Sequence, residues 1–380
     1  TFDTDNLTLG RNGSNIGGSA GDAIIGTEGI AVTLVYVDAT KGWLVTDSGL
    51  QSEAPEPQYV AATGGCITTC GDYKIHTFFS PGSLCVSCGG NAAGSNTVDY
   101  MVVAGGGSGG TRYGGGGGAG GFRESPGTAS GCYTTSPRGA APATAAPVTV
   151  QGYPITVGGG GAGVACSGND SGTCGVNSSF STITSAGGGR GSGQTPSPQA
   201  GDGGSGGGAS YTAGGGHWGA GNTPPVSPAQ GMNGGDGGPG GPQYAGGGGG
   251  GAIAVGTTGS NVPSPAAPAQ SGPGGDGAGT AINLSTMPAP SPVGAAQIGT
   301  PGPSPSVRYF AGGGGGGKTS TGAEQGSGGA GGGTGGGQTS CSTSVAATIN
   351  TGGGSGGGYG YPGNSGNGGS GIVVIRYKFQ

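Results

Sequence analysis

The chain is expected to combine all-β stem segments with a lattice of extended glycine helices bonded side by side and essentially no α-helix. Three observations predict this. Glycine fills 107 of 380 positions and comes in runs, among them 114–118, 246–251 and 312–317. Hydrophobic residues amount to only 31%, too few for an oily core to repay the entropy of ordering so much glycine. Alternating apolar patterns are confined to the flanks of the glycine region.

Each element follows from these. Glycine is disfavoured in a helix interior by about 1 kcal/mol and brings nothing to pack in a strand. Every glycine still carries a backbone donor and acceptor that need partners once buried. The helix with three residues per turn has no internal hydrogen bonds, so its amides point outward, and glycine lets neighbouring rods approach and pair. Collagen is excluded, because Gly105-Gly106-Gly107-Ser108-Gly109-Gly110 breaks the triplet and the 26 prolines sit mostly between the runs.

Residues 1–50 read as a β-structured stem segment. Ile30, Val32, Leu34 and Tyr36 alternate while Val35 and Val37 make the other face apolar, which predicts a strand covered on both sides. A segment this short cannot bury enough surface alone and calls for copies of itself or the next domain. Residues 51–62 form a linker around Glu53-Ala54-Pro55-Glu56-Pro57. Residues 63–104 form a second β unit, with strands over 73–79, 84–86 and 98–103. Residues 105–371 hold roughly twelve glycine-dense segments, each of which would span about 25–30 Å. The closing strand, 372–380, finds its natural partner in Tyr100-Met101-Val102-Val103-Ala104, which brings both ends of the glycine region to one side. Thr1 in place of a methionine favours a piece of a longer polypeptide over a processed leader.

Composition narrows function. With 11 Lys and Arg spread thinly and a net charge of −5, no basic stripe suits a nucleic acid. No apolar run is long enough to insert in a membrane. Gly312 to Thr319 fits the phosphate-loop pattern, but the following residues return to glycine instead of opening a helix. Cys66, Cys70, Cys85 and Cys88 have short spacings compatible with a metal site, with disulfides, or with small buried thiols. Cys132, Cys166, Cys174 and Cys341 fall in connectors, where Cys166 and Cys174 could staple one loop. Asp202, Asp236 and Asp276 each lie in Gly-Asp-Gly steps that suit turns or lattice ends better than calcium. His76 reads as structural. No nucleophile, base or paired carboxylates form a catalytic set, so no enzyme activity and no cofactor are expected. Aromatic and arginine side chains beside the connectors are the types that anchor interfaces and stack on sugars, and are the candidates for contact with a partner: Tyr133, Arg138, Tyr211, His217, Trp218, Tyr244, Arg308, Tyr309 and Phe310. Tyr359 and Tyr361 lie in similar surroundings. The plainer reading of each is that it shields a lattice end from water.

Asn6-Leu7-Thr8-Leu9-Gly10-Arg11-Asn12-Gly13-Ser14-Asn15-Ile16 and Leu34-Val35-Tyr36-Val37-Asp38-Ala39-Thr40-Lys41-Gly42-Trp43 resemble the segment before the tip in tail fibres of marine bacteriophages, cyanophages included. Gly71-Asp72-Tyr73-Lys74-Ile75-His76-Thr77-Phe78, the stretches 97–107, 155–163 and 178–183, and the closing Gly371-Ile372-Val373-Val374-Ile375-Arg376-Tyr377 are similar to the glycine-rich domain of phage fibre tips. The resemblance implies a polyglycine-II sandwich like that of T-even-type adhesin tips, displaying connector loops on a virion tail fibre outside the cell. The expected partners are a host surface glycan or outer-membrane protein, further copies in a homotrimer, and upstream tail-fibre or baseplate proteins. The alternative is a structural subunit of a glycine-rich extracellular or virion filament.

Overall fold

The computed structural model describes residues 5–380 except 28, 51–56, 132, 166, 169, 195–198, 212–216, 239–243, 261–269, 284–297, 319–323, 339–342 and 361–362. Half of the expected linker, 51–56, lies outside the described residues, as do Cys132, Cys166, Cys341 and Tyr361. The strands in chain order are β1 (Leu7–Leu9), β2 (Ala23–Ile25), β3 (Ile30–Asp38), β4 (Gly42–Leu50), β5 (Val60–Thr63), β6 (Cys66–Cys70), β7 (Tyr73–Phe78), β8 (Gly82–Gly89), β9 (Thr97–Val103), β10 (Phe122–Glu124), β11 (Ala146–Pro147), β12 (Gly152–Thr156), β13 (Ser178–Phe180), β14 (Ile183–Ser185), β15 (Ala278–Thr280), β16 (Arg308–Phe310) and β17 (Ile372–Lys378). Among the described residues there is no α-helix, only one 3-10 turn at Pro137–Gly139.

The chain divides into two compact units, one of Thr1–Gln58 with Asn91–Gly94 and one of Tyr59–Gly90 with Ser95–Gln380. The smaller holds two antiparallel hairpins, β1–β2 and β3–β4. Its described residues include no buried hydrophobic side chain; Ile24 is 67% exposed, and Val37 and Val45 are each 54% exposed. This corrects the expectation that β3 is covered on both faces. The apolar pattern is there, but among the described residues only Ile30, Val32 and Leu34 of β3 are half-buried, and Val35, Tyr36 and Val37 are exposed.

The larger unit joins the expected second β unit, the glycine region and the closing strand in one body. One sheet runs β10-β9-β17-β7-β6, with β11 also on β9, and a second runs β14-β13-β12-β8-β5. The expected closure is present: β17 pairs β9 with Ile372 opposite Val103 and Ile375 opposite Tyr100. Residues alternate along these central strands. Val98, Tyr100 and Val102 join Val373, Ile375 and Tyr377 in a core with Leu84, Ile155 and Phe180 of the second sheet. Met101, Val103, Ile372 and Val374 turn the other way, onto Ala119, Phe122, Ala252, Phe310 and Ala311. β17 is therefore buried on both faces, as a continuous apolar run requires.

His76, on β7, is fully buried between the Gly64 carbonyl, 2.7 Å from Nδ1, and the Tyr377 hydroxyl, 3.0 Å from Nε2. A carbonyl only accepts, so Nδ1 donates and Nε2 accepts. Burial depresses the imidazole pKa, in keeping with this neutral form.

Beyond the sandwich the glycine segments form a lattice. Along 114–121 the amides of Gly115, Gly118 and Gly121 donate to Ser192, Gly189 and Ala186; those of Gly116 and Ala119 to Gly247 and Gly250; those of Gly117 and Gly120 to Ser355 and Gly352. Partner identity recurs every third residue, the signature of three residues per turn. The carbonyls of the same rod accept in the same period from three further segments, 104–110, 205–208 and 314–317. Three donor-side and three acceptor-side neighbours make a hexagonal environment. Rods 246–252 and 311–317 are enclosed likewise, and all three touch: Gly116 donates to Gly247, Gly249 to Gly314 and Gly314 to Gly117. The three long glycine runs are thus the centre of the lattice. A Cβ added at Gly116 would lie 2.0 Å from the Gly314 carbonyl oxygen, and one at Gly248 1.9 Å from that of Pro273.

Peripheral rods relax this demand. Residues 343–351 contain no glycine before 352, yet Ser344, Ala347 and Thr351 are buried while Val345, Ala346, Thr348 and Ile349 are exposed. Rod 158–163 shows the same rhythm, and a Cβ at Gly159 would meet nothing within 4 Å. Lattice rods therefore extend into connectors that composition alone marks as loops.

Candidate functional site at the far end of the lattice

The lattice has two chemically different ends. At the sandwich end Ala119, Ala252 and Ala311 terminate the central rods and enter the apolar cluster behind β9 and β17. Tyr133, Arg138, Arg308, Tyr309 and Phe310 lie here. Phe310 is wholly buried on β16, and Tyr309 is 9% exposed with its hydroxyl accepting from the Ser304 amide. Arg308 donates to the carbonyls of Ile298 and Gly299, at 3.2 and 2.6 Å. Arg138 donates from Nε to the Ala252 carbonyl, 2.8 Å, and so closes the turn between rods 246–252 and 254–260. Tyr133 packs its ring 5.0 Å from the Arg376 guanidinium, which lies 4.6 Å from Tyr73 on another side. Burial raises the Tyr133 hydroxyl pKa. These five side chains hold backbone and core together.

Glu124 belongs to the same end. It accepts from the Ser136 amide at 2.9 Å and from the Thr280 hydroxyl, tying β10, the following loop and β15. Burial, reinforced by the charge of Asp99, pushes its carboxyl up to about 7 against the opposing pull of those hydrogen bonds.

The opposite, far end is where rod 105–111 turns into rod 114–121 and where rods 205–211, 311–318 and 352–358 finish. Tyr211 and Tyr244 come together here, ring centroids 4.0 Å apart, and Tyr113 joins Tyr244 at 5.3 Å. All three are half-buried. Tyr113 lies over Gly360, where an added Cβ would come within 2.8 Å of its Cε1. Lys318 is bridged to Ala245, next to Tyr244, and accepts the Gly360 amide at its carbonyl. His217 and Trp218 begin rod 217–221; His217 Nδ1 is 2.9 Å from Gln199 Nε2 and Trp218 is 42% exposed.

Of the residues at this end, sequence reasoning singles out Tyr211, His217, Trp218 and Tyr244 as contact candidates, and not Arg112, Tyr113 or Lys318. A signal existed: Thr111-Arg112-Tyr113 is the whole interruption between two glycine stretches, too short for anything but a tight reversal that presents its side chains.

Other motifs resolve into scaffold. The amides of Gly312 to Gly317 donate in turn to Gly331, Gly275, Gly117, Thr334, Gly272 and Gly114, so none of these six is left for a phosphate. Thr319 lies outside the described residues. Asp202 accepts from Ala220, Asp236 from Gly237 and Asp276 from Ala330, all backbone amides. Cys66 and Cys70 sit on β6, Cys85 and Cys88 on β8 in the other sheet, and these four and Cys174 are free thiols. Among the described residues no group of three or more His, Cys, Asp or Glu side chains is placed to hold a metal ion.

A β-sandwich whose outer face seeds a hexagonal array of glycine rods defines a glycine-rich, all-β protein. A family model described as a glycine-rich domain matches residues 87–378, from β8 through β17, and the chain belongs to that family. No curated protein matches it at a significant level.

Proposed function

We propose that the chain is a phage tail-fibre adhesin, with the larger unit as the receptor-binding tip and the smaller as stem. The observation that carries the reading is the contrast between the lattice ends: one is sealed into a hydrophobic core, the other presents tyrosine, arginine, lysine, histidine and tryptophan. The resemblance of 97–107, 155–163 and 371–377 to fibre tips supports it. Loops mounted on rods whose amides are paired on several sides lose little entropy on docking, so preorganisation contributes directly to affinity. Several tips per particle convert weak contacts into firm attachment. A homotrimeric stem accounts for the uncovered apolar side chains of β3 and β4, since three copies would bury what one cannot.

Electron microscopy of the native assembly, labelled with an antibody against residues 105–371, tests this. A label at the distal end of a fibre, on a stem with three-fold averages, is the expected result. A label recurring at regular intervals along a filament would overturn the adhesin reading in favour of a structural subunit.

A further inference from the structure

We infer that Arg112, Tyr113, Tyr211, Tyr244 and Lys318 form a saccharide-binding platform at the far end of the lattice. The inference rests on the adhesin reading and names its ligand class.

The first observation is backbone geometry. Arg112 and Tyr113 occupy consecutive left-handed conformations, φ 47° and 60°. L-residues with a Cβ adopt this region at a cost that glycine escapes. The reversals at the sandwich end obey that rule: Gly331, Gly332 and Gly352 take positive φ there, as do Asn222 and Asn350, whose side chains tolerate it. Ala311 also does so, with its methyl in the apolar cluster, and Ser181 does in the β13–β14 turn. In a chain with 107 glycines, the tip reversal instead carries a guanidinium and a phenol. Strain retained where a cheaper residue is abundant points to a role for the side chains themselves.

The second observation concerns what the rings are not needed for. Backbone groups at this end already have partners: Gly110 donates to Gly115, Gly358 to Gly110, Gly238 to Ala245 and Gly360 to Lys318. These four bonds are made by backbone alone, without the rings. The three clustered tyrosines remain as a half-buried surface with apolar ring bodies and hydroxyl edges; half-buried Arg112 precedes Tyr113 in the chain, and the Lys318 backbone is bridged to Ala245, next to Tyr244. A pyranose ring has the matching form, an apolar C–H face edged by hydroxyls, whereas the apolar anchor of a protein partner would ask for a deeper pocket.

The test uses the full chain on a printed array of bacterial polysaccharides and lipopolysaccharide oligosaccharides. Binding to a subset of saccharides is expected. Tyr113→Ala and Tyr244→Ala should each weaken it about tenfold, and Tyr→Phe at the same positions by no more than about threefold, because the ring face survives. The double variant Arg112→Gly/Tyr113→Gly separates recognition from packing. It should lose binding while its Tm stays the same or rises, since glycine relieves the left-handed strain. A double variant that loses Tm and binding together shows a structural cap and overturns the platform. Alanine variants that bind like wild type also overturn it. If no saccharide binds while microscopy still finds the chain at a fibre end, the saccharide assignment falls and the adhesin reading stands.

Discussion

The lattice and the sandwich of the larger unit solve the same problem with opposite materials. The sandwich buries Leu84, Ile155, Phe180, Ile375 and their neighbours, and its strength comes from area removed from water. In the central rods there is almost no side chain to bury, and each amide is matched with an amide of an adjacent rod. The difference teaches what each can tolerate. A hydrophobic core is sensitive to atoms removed, because a cavity forms. The lattice is sensitive to a single atom added, because the obstacle is enclosed backbone that cannot rotate away.

The sharpest way to break the comparison is Gly116→Ala. It should destabilise the larger unit by roughly 3 kcal/mol, the upper end of what an overpacked methyl costs, because the atoms it meets are enclosed backbone. Denaturant unfolding followed by circular dichroism measures it, and a variant within 1 kcal/mol of wild type, roughly the scale of an ordinary surface change, would mean the rods give way more easily than their packing implies.

Next in size is the junction between the two regions, where Glu124 is buried. Its folded pKa, about 7, lies above the ordinary carboxyl value of 4.5. The folded state therefore holds the proton more tightly, so this contribution is complete below about pH 4.5 and is lost as pH rises through about 7. The loss amounts to about 3 kcal/mol at most. Between those limits the wild type should lose Tm relative to Glu124→Gln as pH rises. His76 acts in the opposite sense, since its depressed pKa removes stability as pH falls through 6.5, and it leaves the difference between the two proteins unchanged. Parallel pH profiles would show that Glu124 does not titrate in this window.

The smallest effect is expected at Gly159→Ala on a peripheral rod, where the methyl enters open space. There the loss of unfolded-state freedom should leave stability unchanged or raise it by about 0.5 kcal/mol. Thermal unfolding of the Gly116 and Gly159 variants side by side turns the inside–outside distinction into one measurement.

The sequence by itself determined that residues 114–118, 246–251 and 312–317 are rods, because exclusion of a Cβ is a local property that composition states outright. It also determined that 372–377 closes onto 100–104, because two apolar runs must hide both faces. It was less informative about rods such as 343–348, where only every third position faces inward and Ser344 and Ala347 serve as well as glycine. Only the tertiary structure decided which rod touches which, and hence that Tyr113, Tyr211 and Tyr244 gather at one end while Tyr133, Tyr309 and Phe310 support the other. The reason is physical: one glycine amide offers the same donor and acceptor as any other, so the pairing of rods leaves no side-chain code to read. Strand register, by contrast, is written in the alternation of large and small residues.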